Sequence, residues 1–452
     1  MMATAQALQS PEVRALSAHV RENLPDGASR LLIGLSGGRD SLALALAAAG
    51  AADGEALDVH LVHVNHQLQA EASAWVEHCR AFAAFAGLPL TVCDVDVDAD
   101  GQGLEAAARH ARYNAFEALM KAGDVLLTAH HQRDQAETVL LRLLRGAGVD
   151  GMSAMQVCRP FGPGWLCRPL LHVAPSELAN ATQAAGVEAV DDPSNRDTGL
   201  DRVFLREQVL PLLRTRWPAA DQMLSRTAGL SQAAAEVVQA RTRELMPALA
   251  GQRPGTLSRQ ALAGLSEAQA KAVLRAWLRS EADVTLDAGR THDVWRLLTH
   301  LERPEPAFVH GPVAIRCYRD EAFLLSSELK CDAGLPNLWT LGAPLQLAHG
   351  SLSATRAKGA GLSPNRLARA ALTLRLRRPG ERVAFGHGGR HRSLKKQFQH
   401  WGVPPWERDR LPLVCIGDVV VCVPGHTTVG GYAAGRDEYG WLVNWEFHDA
   451  PG

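Results

Sequence analysis

Residues 36–41 read Ser-Gly-Gly-Arg-Asp-Ser, and these residue types in this order suit the holding of an anion. Two consecutive glycines let the backbone turn with its N–H groups converging, and a helix that follows directly aims the positive end of its dipole at the same point. The hydroxyls of Ser36 and Ser41 add donors. Asp40 inside such a cradle would repel a polyphosphate unless a cation lay between them, so Asp40 is expected to hold Mg²⁺. The G-x-x-x-x-G-K-[ST] phosphate loop, with its lysine, is absent. An ordinary strand-to-helix turn capped by Asp40 and Ser41 is the plainer reading of a glycine pair. The whole hexapeptide at the end of the first strand favours phosphate.

A second cluster reads His-His-Gln-Arg-Asp-Gln-Ala-Glu-Thr over 130–138 and begins where the fourth strand ends. His130, Asp134 and Glu137 fall at i, i+4 and i+7, which predicts one helical face carrying an imidazole and two carboxylates. Such a face can share a metal ion or act as base and orienter. Acids matched to the dipole of a solvated first turn are the plainer reading. Three weaker elements point to the same edge. His63-Val64-Asn65-His66 follows the second strand, where structural loop histidines are the default. Glu105, Arg109, Arg112 and Tyr113 share the third helix, where an intrahelical salt bridge is the simpler account of Glu105 with Arg109. The turn-forming residues Asp192 to Asp197 precede Arg202 and Arg206 at i and i+4, a basic face that would clamp phosphate or RNA backbone, or merely be solvated.

The elements that must position these residues alternate short apolar runs with longer helical ones, the pattern of a parallel α/β sheet. Strands are expected at 31–35, 57–64, 89–95 and 125–129, and helices at 41–50, 72–86, 104–121 and 131–145. Four such units predict a Rossmann-like doubly wound sheet, which binds ligands at the carboxyl ends of its strands. A Gly/Pro-rich stretch at 151–175 follows, then helices at 176–185 and 202–216. The first domain is therefore placed at 1–217, a helix-rich middle domain with strands at 313–318 and 322–326 at 218–330, and a mixed α+β domain at 331–452. In that last domain eight Lys or Arg and one acid, Glu381, lie between Arg375 and Lys396, with Phe398, Trp401 and Trp406 close behind. Phosphate contacts and base stacking would use such a segment, although charge runs are usually solvated faces and Trp is usually core.

Composition sets the outer limits. The 452 residues hold 47 Lys and Arg against 48 Asp and Glu, for a net charge of −1, with 46% apolar residues. That excludes wholesale disorder and a globally basic nucleic-acid coat, so any RNA footprint must be local. Uncharged stretches such as 41–52 are too short for a bilayer span, and no secretory signal pattern opens the chain, which points to the cytoplasm. The eight cysteines are dispersed without C-x-x-C, as expected of free buried thiols rather than a metal or iron–sulfur site.

The hexapeptide 36–41 looks like the SGGxDS loop of the N-type ATP pyrophosphatases, the PP-loop superfamily. Combined with 63–66, 130–138, 142–148 (Arg-Leu-Leu-Arg-Gly-Ala-Gly), 168–171 (Arg-Pro-Leu-Leu) and 192–197, the chain resembles the tRNA(Ile)-lysidine synthetases. The resemblance is dense over 31–217. It resumes over 374–425, where 378–382 (Arg-Pro-Gly-Glu-Arg), 394–396 (Leu-Lys-Lys) and 403–406 (Val-Pro-Pro-Trp) look like that family's C-terminal domain.

The resemblance implies that ATP adenylates the C2 carbonyl oxygen of the wobble cytidine in the CAU anticodon of an isoleucine tRNA, and that the side-chain amine of free lysine then displaces AMP to give lysidine. It implies that Ser36, Gly37, Gly38, Arg39, Asp40, Ser41 and His63 hold ATP, with Mg²⁺ at Asp40. Asp40, His130, Asp134 and Glu137 would form the reaction and lysine pocket. Arg202, Arg206, Arg378, Arg382, Lys395 and Lys396 would contact tRNA, as would the middle domain. Three residues depart from the family pattern: Gln69 replaces an Arg, Arg133 replaces the first acid of an Asp-Asp pair, and Val203 replaces an Asn. A tRNA thiolase of the same superfamily is disfavoured by the missing C-x-x-C pair. The basic C-terminal segment argues mildly against an amide-forming synthetase of small acids. A non-catalytic RNA-binding protein is disfavoured by the intact loop and the intact His130, Asp134 and Glu137 set. The oligomeric state is open at this stage, a homodimer included.

Overall fold

The computed structural model describes residues 6–67, 72–97, 103–190, 199–302, 307–328, 334–336, 338–347, 349–368, 370–385 and 391–448. The chain divides into two compact units, residues 1–237 and 238–452.

The first unit is a doubly wound, Rossmann-like α/β layer. It opens on α1 (Pro11–Glu22), an element ahead of the first strand that the alternating pattern does not include. Its signals are local: Ser10 caps the helix by accepting the Val13 N–H at 3.3 Å, proline occupies the first turn, and Val13, Leu16 and Val20 at i, i+3 and i+7 are buried. Strand β1 (Arg30–Gly34) follows, then α2 (Arg39–Ala52), β2 (Asp58–Asn65), α3 (Ala72–Ala86), β3 (Leu90–Asp94), α4 (Leu104–Leu119), β4 (Val125–Leu127) and α5 (Gln132–Leu144). Leu31, Leu32 and Ile33 of β1 are buried on both faces, as a central parallel strand requires. Helix α2 is buried all round from Leu42 to Ala48, its alanines giving close approach to the sheet.

The strand order is β3-β2-β1-β4-β6-β5. Strands β5 (Cys158–Phe161) and β6 (Gly164–Cys167) form an edge hairpin inside the Gly/Pro-rich stretch, for which the sequence predicts no element. Glycine is required at both turn-side positions: Gly162 has φ +51°, and a Cβ on Gly164 would lie 2.1 Å from the Asp124 carbonyl oxygen. The hairpin also corrects the expectation of free thiols throughout. Cys158 and Cys167 sit directly opposite each other on its two strands, with Cα atoms 4.2 Å apart, and form a disulfide. Cys79, Cys93, Cys317, Cys415 and Cys422 are free. Helix α6 (Pro175–Ala184) and a helical segment over 201–216, interrupted by a π-turn at Leu205–Val209, complete this layer before α7 (Ala220–Leu249).

In the second unit, strands β7 (Leu257–Ser258), β8 (Ala307–His310), β9 (Val313–Tyr318) and β10 (Glu321–Ser326) form an antiparallel sheet against α8 (Glu267–Ala282) and α9 (Ala288–Thr299). Further on come β11 (Leu345–Leu347), β12 (Gly350–Lys358), β13 (Thr373–Arg375), the hairpin β14 (Arg382–Ala384) and β15 (His391–Ser393), then α10 (Leu394–Trp401). The apolar run at 413–423 folds back on itself as β16 (Leu413–Ile416) and β17 (Val419–Val423), and β18 (Thr427–Thr428) and β19 (Tyr439–Phe447) close the sheets. One expected base-stacking residue, Phe398, is corrected here. Phe398 is fully buried in the core, and Trp406 packs edge-on against Phe323 with ring centroids 5.2 Å apart and Arg316 over its ring. Trp401 stacks on His426 at 4.9 Å.

Among the described residues no helix is long and apolar enough to cross a membrane.

Candidate active site

The sheet order reverses beside β1: the chain builds outward through β2 and β3, then returns to place β4 on the other side of β1. The loop after β1 and the turn after β4 therefore meet at the topological switch point, where the carboxyl ends of the strands leave a crevice. A cavity of about 990 Å³ opens there, lined by Ser36, Gly38, Asp40, His63, His130 and Asp134 among others.

The loop is held by its own side chains. Ser36 N–H donates to Ser41 Oγ at 3.2 Å, Ser41 Oγ donates to the Gly38 carbonyl at 2.8 Å, and Gly38 N–H donates to Ser36 Oγ at 3.3 Å. Gly37 has φ +82°, a left-handed conformation that favours glycine. Asp40 lies in the first turn of α2. Its Oδ1 accepts from Arg39 Nε at 3.1 Å, and its Oδ2 lies 3.4 Å from His131 Nε2. Burial works to raise the Asp40 carboxyl, but the His131 and Arg39 contacts outweigh it and hold the group below its ordinary value, as a carboxylate.

His131 carries no sequence signal of its own, yet it joins the two clusters. It caps α5, where its N–H donates to Asp134 Oδ2 at 2.9 Å, and its Nδ1 lies 3.3 Å from the same oxygen. Burial lowers the imidazole pKa, and the two flanking carboxylates overcome it, so His131 rises above its ordinary value. The chain of charges continues: Asp134 Oδ1 is 3.6 Å from Arg206 Nη2, and Arg206 binds Glu137 through two hydrogen bonds at 2.7 and 3.0 Å. Glu137 has no exposed surface. Burial pushes its carboxyl up against the opposing pull of the guanidinium, while Arg206 is raised by that same bond. Asp40, His131, Asp134, Arg206 and Glu137 thus alternate in sign from one loop to the other.

His130 lies before the helix rather than on its face, because α5 begins at Gln132. Its Nδ1 is 2.9 Å from Thr128 Oγ1, and burial, with the charges of Arg168, Arg109, Arg202 and Arg112, drives it well below its ordinary pKa, leaving a neutral imidazole. His63 is buried and neutral for the same first reason. Its Nδ1 must donate to the Leu35 carbonyl at 2.8 Å, which leaves Nε2 as acceptor. Arg202 and Arg206 are turned against α5: Arg202 donates to Thr138 Oγ1 at 3.0 Å, and Arg206 holds Glu137. Val203 is buried. Gln69 and Asp192 to Asp197 lie outside the described residues, as does the Glu105 side chain.

Buried polar atoms without a hydrogen-bond partner collect around this crevice: His66 Nδ1 and Arg133 Nε on its lining, and His78 Nε2 beside the loop. Buried polar atoms normally find a partner, so this cluster marks where a polar ligand belongs. Among the described residues no group of three or more His, Cys, Asp or Glu could hold a metal ion. The donor set at Asp40 fits Mg²⁺, an ion bound through one or two carboxylates with substrate phosphates and water supplying the rest.

In the second unit Arg378, Arg382, Lys395 and Lys396 are exposed. Arg378 pairs with Asp418 at 2.9 Å, and Arg382 donates to the His391 carbonyl at 2.6 Å. Lys395 and Lys396 carry no ion pair among the described residues and occupy the face of α10 opposite buried Leu394 and Phe398.

Comparison with known proteins covers the same ground. The family described as PP-loop domain matches residues 9–213, TilS substrate binding domain matches 257–323, and TilS substrate C-terminal domain matches 372–445. A tRNA(Ile)-lysidine synthase of Methylococcus capsulatus is 37% identical over 91% of this chain and 95% of its own. Similar proteins of the same name from Xanthomonas campestris and Alkalilimnicola ehrlichii are each 39% identical, covering 86% and 90% of this chain and 89% and 92% of theirs.

Proposed function

This chain belongs to the tRNA(Ile)-lysidine synthase family, and on that premise we propose that it is an ATP-dependent ligase that converts the wobble cytidine of the CAU-anticodon isoleucine tRNA to lysidine. The observation that carries the reading is the meeting of the phosphate loop with the Asp40–His131–Asp134 array in one cavity at the switch point.

In the first step the cytidine C2 carbonyl oxygen attacks the α-phosphorus of ATP. The new O–P bond forms as the bond to the β-phosphate breaks, and pyrophosphate departs. Converging loop N–H groups and the start of α2 hold the phosphates, with His63 and Arg39 beside them. Asp40 would hold Mg²⁺, which when bound offsets charge on the departing pyrophosphate. In the second step the lysine side-chain amine attacks C2 and the C–O bond to AMP breaks. Asp134 is the carboxylate placed to meet a lysine ammonium, while Glu137, fully buried, acts through Arg206 to set the position of Asp134. His130, held neutral by burial and the surrounding arginines, lines the same cavity as a neutral hydrogen-bonding group, and the proton the amine sheds leaves to solvent. Closing such a bond at a carbonyl carbon needs the adenylate because the bare oxygen is a poor leaving group.

Residues 1–217 are taken as the catalytic domain, with 218–330 and 331–452 contacting tRNA, the latter through Arg378, Arg382, Lys395 and Lys396. The cytoplasm, where tRNA is modified, is the compartment this chemistry requires. Incubation with ATP, radiolabelled lysine and total bacterial tRNA tests the reading: label is expected in an isoleucine tRNA with the CAU anticodon, and tRNA that stays unlabelled would refute it.

A further inference from the structure

Arg133 occupies the position at which the related pattern carries an acid, and its surroundings show what the exchange accomplishes. The acids at this end of the cavity already have cations: Asp40 is met by Arg39 and His131, Asp134 by His131 and Arg206, and Glu137 by Arg206. Arg133 forms no ion pair among the described residues, and its Nε is buried without a hydrogen-bond partner. It lines the same cavity as Ser36, Gly38 and Asp40. It also sits in the first turn of α5, where the helix dipole opposes a cation. A cation that forms no ion pair while Asp40, Asp134 and Glu137 each have one, in a crevice already shaped for an anion, suits a ligand that is itself negatively charged.

We propose that Arg133 is a substrate-binding residue of this chain that donates to the β- and γ-phosphates of ATP and to the pyrophosphate that leaves. The inference rests on the ATP-using reading above and deepens it: a fixed guanidinium stands where an acid would have to recruit a mobile cation. The anion could equally come from the tRNA backbone by its chemistry. The cavity shared with the loop favours the nucleotide, and the two sources separate by experiment.

Calorimetry on the full-length protein, without tRNA or lysine and at fixed Mg²⁺, measures binding of ATP, pyrophosphate and AMP. Arg133→Ala is expected to weaken ATP and pyrophosphate by about tenfold to a hundredfold, the usual worth of a charged hydrogen-bond pair. AMP, lacking the β- and γ-phosphates, should bind both proteins alike. Arg133→Lys should recover part of the loss, and the KM for lysine should not move. Unchanged pyrophosphate affinity, a loss seen equally with AMP, or a loss confined to tRNA binding would each overturn the proposal. A failure of Arg133→Lys to recover affinity, together with a raised lysine KM, would also overturn it, by reducing Arg133 to a packing role. The wild-type titration keeps the two readings apart: a wild-type protein that does not bind ATP removes the functional reading, whereas one that binds ATP as its variant does removes only the role of Arg133.

Discussion

The crevice at the switch point and the basic segment of the second unit both begin as dense runs of chemically capable residues, and the fold treats them in opposite ways. In the first unit, residues close in sequence stay close in space. The loop 36–41 and the turn after β4 each lie at a strand's carboxyl end, and parallel pairing of β1 with β4 sets them side by side. In the second unit the fold brings in acids from outside the run. Within the basic window Glu381 is the one acid, but Arg377 pairs with Asp409 and Arg378 with Asp418, while Arg375 binds Glu381. The apparent charge of that window shrinks once folded, leaving Arg392, Lys395 and Lys396 exposed without an ion pair among the described residues. Clustered residues thus report a site when the sheet order gathers them at one crevice, and overstate it when acids from outside the run take up their exposed charges.

The largest expected effect breaks the first half of that comparison. Asp40→Asn should cut pyrophosphate release by roughly a hundredfold or more, the scale of removing a charge-stabilising group, while tRNA affinity measured by filter binding stays near wild type. Next in size, Arg206→Ala leaves the buried Glu137 carboxyl without its cation, and should cost about 3 kcal/mol of stability in denaturant unfolding, because breaking one side of a buried pair is expensive. A variant with unaltered stability and weakened tRNA binding would instead mark Arg206 as a surface contact. Neutralising Lys395 and Lys396 together should weaken tRNA binding and lower the slope of log affinity against log salt by about 2, one for each phosphate contact. The smallest change sharpens the second half. Asp418→Asn frees Arg378 from an exposed pair, worth below about 1 kcal/mol, and should raise tRNA affinity slightly at low salt.

Much of this is legible in the sequence. Alternating strand and helix periods locate the sheet because β4 and the middle of β1, buried on both faces, read as uninterrupted apolar runs. The phosphate loop is legible for the same reason that it works, since its donors are contiguous. His131 escapes because a second histidine in a strand-to-helix turn carries no periodic signal, and its importance comes from Asp40, 91 positions earlier, which only the switch point brings near. The Arg206–Glu137 pair spans 69 residues and is invisible to any local window. The hairpin of β5 and β6 is hidden by Pro160, Gly162 and Gly164, residues that break strands in general but here fit an edge and its turn.

Trp406 has a practical bearing on how the second unit can be divided. Its ring lies against Phe323, while Arg253 on the same side reaches Glu407 at 2.6 Å and the Gly402 carbonyl at 3.2 Å, and Arg408 donates to the Tyr318 hydroxyl at 3.0 Å. A chimera that exchanged the sheets after β10 with those of a relative would set foreign side chains against this aromatic and guanidinium seam. Grafts spliced upstream of Arg253 keep the seam whole, so recombination and truncation of this protein should treat everything from there onward as one heritable block.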